Sequence, residues 1–446
     1  MQKRILKTVA CLFACVLLTL PSLCVSAEGA DYEPPIAEHI GAAYLYNVEN
    51  ERVIYEYESE KQVFPAASVK IMTAVVAYEA LSQRMDERVE ITDAMVRGVT
   101  GNNIAIEAGE KILIKDLFYA LLLKGANDAA YVLAHVTSGS PLDFVDAMNA
   151  KATQLSMTST HYTNPTGMHD DMMVTTAKDQ AKIAGVFASY SQLLEMSSIS
   201  KHVIEKTSDC VTRNLYNRNA FVSKLNSLGT GDYYYKYAKG MNYGSTTEGG
   251  ESLVTLGSRG GLSYICVILG GEESEEDEPI YVFNFARDLL DYALDGFGYV
   301  EVLSTSRLVY DIPVELSEKT DHVMLVPSES IKSYLCYNVD PERDLKYSYT
   351  LDRESLVAPV KEGTAVGHIS VYDGDTLLGT VTLVTQNAVD LSAFLATLDK
   401  IQRFTESKFF ICTVISLVVV TVAFVFINSF IRAKKQKRSR TIRYKR

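Results

Sequence analysis

Cysteine and histidine are scarce in this chain, seven of each in 446 residues, and tryptophan is absent. Cys11, Cys15 and Cys24 lie in the first 27 residues, and Cys412 lies in an uncharged apolar run near the end. Cys210, Cys266 and Cys336 remain. An odd, widely spaced set argues against a disulfide framework and for buried free thiols, with one bridge as the other reading. The histidines never take the His-Glu-x-x-His spacing of a helical zinc site. The group His161, His169, Asp170 and Asp171 is the one place to look for a metal, and a structural loop is its simpler reading. No metal and no cofactor is expected. Basic residues are also sparse outside the two ends: the net charge is −12, although nine Lys and Arg crowd into residues 432–446 and three into residues 1–7. Neither end holds an acidic residue, so the stretch between them is more acidic than the whole. Such a body repels nucleic acid and anionic surfaces. No internal repeat is present.

The two basic ends read as targeting and topology signals. Lys3, Arg4 and Lys7 precede the apolar run "TVACLFACVLLTLPSLCV" and then "VSA". A charged start, an apolar centre and a small-residue site make residues 1–27 a signal peptide cleaved after Ala27. The alternatives are lipidation at Cys24, which the large Leu23 disfavours, and an uncleaved anchor. Near the other end, "FFICTVISLVVVTVAFVFINSFI" (409–431) has no charge and is 23 residues long. About 20 apolar residues cross a bilayer core, so this run predicts a single transmembrane helix. The basic tail at 432–446 then belongs in the cytoplasm and residues 28–408 outside the membrane. Anionic headgroups alone explain the tail's charge, and a cytoplasmic partner is the other reading.

Between these signals the patterning changes once. "IGAAYLYNVENERVIYEYES" (40–59) predicts two strands with a turn at Asn47–Arg52. Helices are predicted over 68–83, on both sides of a break near Gly125 within 114–136, and over 175–190. "SLVTLGSRGGLSYICVILGG" (252–271) reads as a hairpin of apolar strands, and 280–297 as a closing helix. Strands at both ends with helices between them predict a sheet packed by helices, a mixed α/β (α+β) unit over 28–297. From 298 to 388 short alternating runs predict a small all-β domain. Residues 391–405 form an amphipathic helix within the juxtamembrane stretch 389–408. The acidic run "EESEEDEP" (272–279) reads as a solvated loop, with calcium or partner binding as the other possibility.

Five segments, taken in order, resemble the D-alanyl-D-alanine carboxypeptidases of the low-molecular-mass penicillin-binding proteins. They are "PAASVKIMTA" (65–74), "AGEKILIKDLFYALLLKGANDAAYVLA" (108–134), "HYTNPTGMHDDMMVTTAKDQAKIA" (161–184), "SRGGLSYICVILG" (258–270) and "LVAPVKEGTAVGHISVYDGDTLLGTVTLV" (356–384). The resemblance implies a β-lactamase-like domain with a central antiparallel sheet packed by helices, then a β-rich domain and a C-terminal membrane helix. It implies serine-dependent trimming of peptidoglycan stem peptides. In that chemistry a Ser-x-x-Lys pair sets a hydroxyl and an amine one helical turn apart, so the amine takes the hydroxyl proton. A Ser-x-Asn loop and a Lys-Thr-Gly strand complete the site.

Each motif departs from the pattern here. Ala67 stands in the nucleophile's place, and Lys70, the remnant base, follows it. Ser68 cannot substitute, because residues two apart on a helix point about 200° apart; capping or packing is its role. Gly125 stands where the second serine belongs, with Asn127 retained. The strand motif is assigned to Lys239-Gly240-Met241, with Lys239 as a substrate contact and no hydroxyl at 240. Losing a nucleophilic serine costs on the order of 10⁶ in turnover. The chain is therefore expected to be a membrane-anchored, non-catalytic relative that binds stem peptides or a protein partner at the cell wall. The alternative is an active serine-type carboxypeptidase using another hydroxyl, such as Ser245 or Thr246. The tyrosines at 233, 234, 235 and 237 read equally as a groove rim or as edge packing.

Overall fold

The computed structural model describes residues 32–207, 209–226, 233–273 and 280–443. The leader at 1–27, most of the acidic run at 272–279 and the last residues of the tail lie outside the described residues. Two compact units emerge: the chain up to Gly298 together with Cys336–Asn338, and Tyr299–Leu335 together with the chain from Val339 onward.

The first unit is built on a five-stranded antiparallel sheet. Its strands are β1 (Ala42–Asn47), β2 (Val53–Tyr57), β3 (Ala238–Thr246), β4 (Gly250–Arg259) and β5 (Leu262–Gly271), in the order β2-β1-β5-β4-β3. Both faces are covered. Successive strand residues point to opposite faces, and on β5 Tyr264 and Ile265 show the two sides. The Tyr264 hydroxyl donates to the Ala293 carbonyl on a helix over Tyr281–Gly296. Ile265 faces the other way, toward Gly185 on a helix over Ala177–Ser189. With both faces buried, β4 and β5 carry nearly continuous apolar runs rather than strict alternation.

The helix that matters most for the site runs over Val69–Leu81 and is called α1. Its first nine residues, Val69 to Ala77, are all buried. A helix apolar all round must be surrounded, so the start of α1 sits deep in the unit. A second helix, α2 (Asn127–Ser138), follows a π-helical turn over Ala120–Lys124. Gly125 ends that turn at φ +64, a left-handed conformation suited to glycine. The helix at Ala177–Ser189 starts at Thr176, whose side chain accepts from the Asp179 amide. Cys210, Cys266 and Cys336 are free thiols, the first two buried.

The second unit holds a six-stranded sheet in the order Lys346–Leu351, Ala365–Asp373, Thr376–Thr385, His322–Pro327, Tyr310–Glu315, Leu356–Val357. Its inward residues include Ile312, Leu325, Ile369, Val371 and Leu383. A helix over Ala393–Glu406 presents Phe394, Leu398, Ile401 and Phe404 to solvent. The helix Lys408–Arg443 follows, and its segment Lys408–Lys435 is long and apolar enough to cross a membrane.

One buried ion pair fixes the loop that later supports the site. Arg213 donates to both oxygens of Glu110, at 2.8 and 2.9 Å, and to the carbonyls of Ile104 and Ala105. Replacing Arg213 by Met leaves a buried carboxylate without its cation, an expected loss of about 3–5 kcal/mol. Adding Glu110→Gln should recover part of it. Urea unfolding of both variants checks this; equal losses would show that the orphaned charge is not the cause.

Candidate functional site

The chain enters α1 through a tight turn, Ala66–Ser68. Ala66 sits at φ +47, a conformation that costs a non-glycine residue about 1–2 kcal/mol. Two neighbours hold it there. A Cβ on Gly167 would fall 2.0 Å from the Ala66 carbonyl oxygen, so only glycine lets the 164–168 loop lie against this turn. On the other side β3 passes so close that a Cβ on Gly244 would stand 2.7 Å from the Ala67 methyl. Ser68 is buried, and its hydroxyl donates to the Pro65 carbonyl at 2.6 Å. It packs the turn, without a capping bond to the helix.

Three segments converge beside Ala67 on a cavity of about 490 Å³. Lys70 reaches it from the first turn of α1. Gly125 and Asn127 reach it from the π-turn and the start of α2, and Tyr243, Ser245 and Thr246 from β3. The Lys70 amine is buried and donates to the Thr166 carbonyl at 2.5 Å. Burial, with the charge of Arg218 adding to it, pushes this amine down to about 7. Asn127 donates through Nδ2 to the Thr100 carbonyl at 2.8 Å, while its Oδ1 is buried and unpartnered among the described residues. The Arg218 amide bonds the Leu123 carbonyl at 2.9 Å, which ties this second cation to the π-turn. An amine that titrates near neutrality, a guanidinium and an amide thus face one space: a site for a carboxylate or a polarised carbonyl.

The profile described as D-alanyl-D-alanine carboxypeptidase matches residues 31–273, and that of the penicillin-binding protein 5 C-terminal domain matches residues 297–391. The chain belongs to the D-alanyl-D-alanine carboxypeptidase family. The carboxypeptidase DacF of Bacillus subtilis is 24% identical over 380 residues, covering 84% of this chain and 92% of the relative. DacC of Escherichia coli is 26% identical over 329 residues, covering 71% of this chain and 76% of the relative. Among solved structures, DacD from Francisella tularensis superposes with a TM-score of 0.57 at 20% identity, covering 80% of this chain and 96% of that one. Penicillin binding protein 6B from Escherichia coli gives 0.56 at 21%, covering 80% and 98%. These structures share the mixed α/β penicillin-binding fold.

Of the five residues that sequence reasoning placed in the site, four meet at the cavity: Ala67, Lys70, Gly125 and Asn127. Lys239 does not, and this corrects the strand assignment. Its side chain is exposed and absent from the cavity wall. Gly240 packs on Ser197, and Met241 is buried in the core. The register of β3 against β4 slips between Lys239 and Asn242, and the segment beside Ala67 is Tyr243–Thr246. That segment carries hydroxyls at Ser245 and Thr246, and both line the cavity. Arg218 was missed, because a lone arginine in "YNRNAF" has no spacing signal. The Lys70 amine is met by the Thr166 carbonyl, an acceptor with no signal in the sequence. His169 lies 3.1 Å from Asp171, and among the described residues no group of three or more His, Cys, Asp or Glu converges as metal ligands. The tyrosines divide: Tyr235 is buried, stacked on Phe221 and bonded to Asp291, while Lys236 and Arg259 lie over the ring of Tyr237.

The depressed Lys70 amine has a measurable consequence. Between about 7 and the ordinary 10.5, the unfolded chain holds a proton that the folded chain has released. Relative to Lys70→Met, wild-type stability should therefore rise with pH across this window, by at most about 1.4 kcal/mol per pH unit, and be level below it. Urea unfolding of the pair from pH 6 to pH 10 reads the difference. A flat difference throughout would show that the folded amine stays charged.

Proposed function

We propose that this protein is a membrane-anchored, extracytoplasmic relative of the carboxypeptidases that has lost serine acyl transfer and binds peptidoglycan stem peptides. The observation that carries this reading is the Ala67 methyl, one turn before Lys70 in the wall of their shared cavity. An amine near 7 is suited to take a proton, and position 67 has no hydroxyl to supply one. Ser68 is committed to the Pro65 carbonyl. Binding needs less than catalysis does. Lys70, Arg218 and Asn127 suit a peptide carboxylate without any nucleophile.

A second reading rests on the hydroxyls of Ser245 and Thr246 in the same cavity. Either could serve as the nucleophile of an active hydrolase. Incubating the full chain in detergent with a fluorescent penicillin separates the two readings. We expect no adduct on the wild type, slow labelling of Ala67→Ser, and faster labelling when Gly125→Ser is added. A Cβ at 125 would meet Asn102 and Lys70 only at 3.6–3.8 Å, so the second serine fits the space, at the backbone strain that φ +64 imposes on any side chain. A stoichiometric wild-type adduct that survives denaturation and maps to Ser245 or Thr246 would support the second reading and overturn the first.

The anchor reading follows from Lys408–Lys435, whose apolar window is not buried among the described residues. Each Arg or Lys of the tail would cost about 2.5–3.5 kcal/mol at the bilayer centre, so one orientation should dominate, with the tail inside. External protease on wall-free cells should digest the chain up to about residue 408 and spare a C-terminal tag. A tag digested from outside would reverse the topology.

A further inference from the structure

A second cavity, of about 910 Å³, lies beside the first, and the two share Ser245, Thr246, Thr247 and Glu248 at the β3–β4 turn. Their linings differ. The first presents Arg218 and the Lys70 amine, with Glu248 at the shared edge. The second is lined by Asp171, Glu248, Glu251, Glu272 and Glu273, with no lysine or arginine. Asp171 is engaged by His169 at 3.1 Å, and Glu272 by His39 at 2.7 Å. Among the described residues no cation pairs with Glu248, Glu251 or Glu273.

Glu251 distinguishes this cavity from an ordinary acidic surface. It is 6% exposed. Its Oε1 accepts from the Tyr243 hydroxyl at 3.0 Å, and its Oε2 has no hydrogen-bond partner among the described residues. Burial, with the charge of Glu273 adding to it, pushes this carboxyl up to about 6. An ionised carboxylate only accepts hydrogen bonds, and a buried one is costly unless paired. What the site lacks is therefore a positively charged donor. Among the described residues no metal-ligating group of three or more converges. An ammonium needs only acceptors around its three N–H bonds.

We propose that the second cavity is an ammonium subsite, in which Glu251 and Glu248 hold the side-chain amine of a peptide whose C-terminal carboxylate lies toward Lys70 and Arg218. This rests on the peptide-binding reading above and adds the charge that the peptide must carry. Arg218 in the first cavity and the unpaired Glu251 in the adjoining one fix which way the peptide runs. It also discriminates against a peptide whose amine is blocked, because the buried carboxylate then stays unpaired.

The test uses the full chain in detergent micelles and two tripeptides, Nα-acetyl-lysyl-D-alanyl-D-alanine and its Nε-acetylated form, with calorimetry as the readout. We expect the wild type to prefer the free amine by about tenfold, the scale of one charge-assisted hydrogen bond. In Glu251→Gln the preference should fall to about threefold or less, with Glu248→Gln intermediate. Glu251→Gln should melt no lower than the wild type near neutral pH, since it removes a buried charge. Equal wild-type affinity for the two peptides would overturn the subsite while leaving peptide binding intact. Binding of neither would overturn the peptide-binding reading, and the subsite with it. A preference that survives both substitutions would also overturn the subsite. If Glu251→Gln does not fold, an unchanged preference in Glu248→Gln alone does so.

Discussion

A buried lysine amine organises this protein. Lys70 can sit at the centre of the first unit only because a carbonyl, that of Thr166, stands ready to accept from it, and because burial lets it shed its proton near neutrality. The surroundings follow from that requirement. The Thr166 loop must lie against the turn before α1, which needs glycine at 167. β3 must cross directly beside Ala67, which needs glycine at 244. Ala66 must hold a left-handed conformation between them.

These are backbone constraints, and none of them involves a hydroxyl. The shape of the site therefore does not depend on a hydroxyl at 67 or 125, where the side chains are a methyl group and a hydrogen. Asn127 and Lys70, by contrast, donate to the backbone carbonyls of Thr100 and Thr166. The cleft holds Lys70, Arg218 and Asn127 inside an acidic protein. Charges in a partly buried cleft act through a lower dielectric than surface charges do, so Arg218 can act strongly there although the chain as a whole is negative. The acidic cavity adjoins it across a few residues of one hairpin.

Much of this was legible in the sequence, and the reasons are local. The strands of the 252–271 hairpin, the break at Gly125, the buried helix after Ala67 and the long apolar helix near the end all depend on side chains a few positions apart. That positions 67, 70, 125 and 127 come together was legible too, because a helical turn or a tight loop fixes the spacing within each pair. The β3 segment was misread for a different reason. Lys239-Gly240-Met241 was assigned by its match to the strand motif, whereas the residues that pass Ala67 are set by a tertiary approach, that of Gly244 to the Ala67 methyl, and those in the cavity wall fall at Tyr243, Ser245 and Thr246.

The sequence by itself determined which elements form, the apolar helix near the C-terminus, and the absence of a serine at 67. Tertiary structure alone decided which strand residues reach Lys70, that Arg218 stands beside it, and that Thr166 supplies its acceptor. It also decided that Glu251 is buried facing other carboxylates, next to the cavity that holds Lys70 and Arg218. The difference is physical. Propensity and periodicity act over a few residues, whereas burial, charge proximity and close backbone approach arise only when distant segments meet.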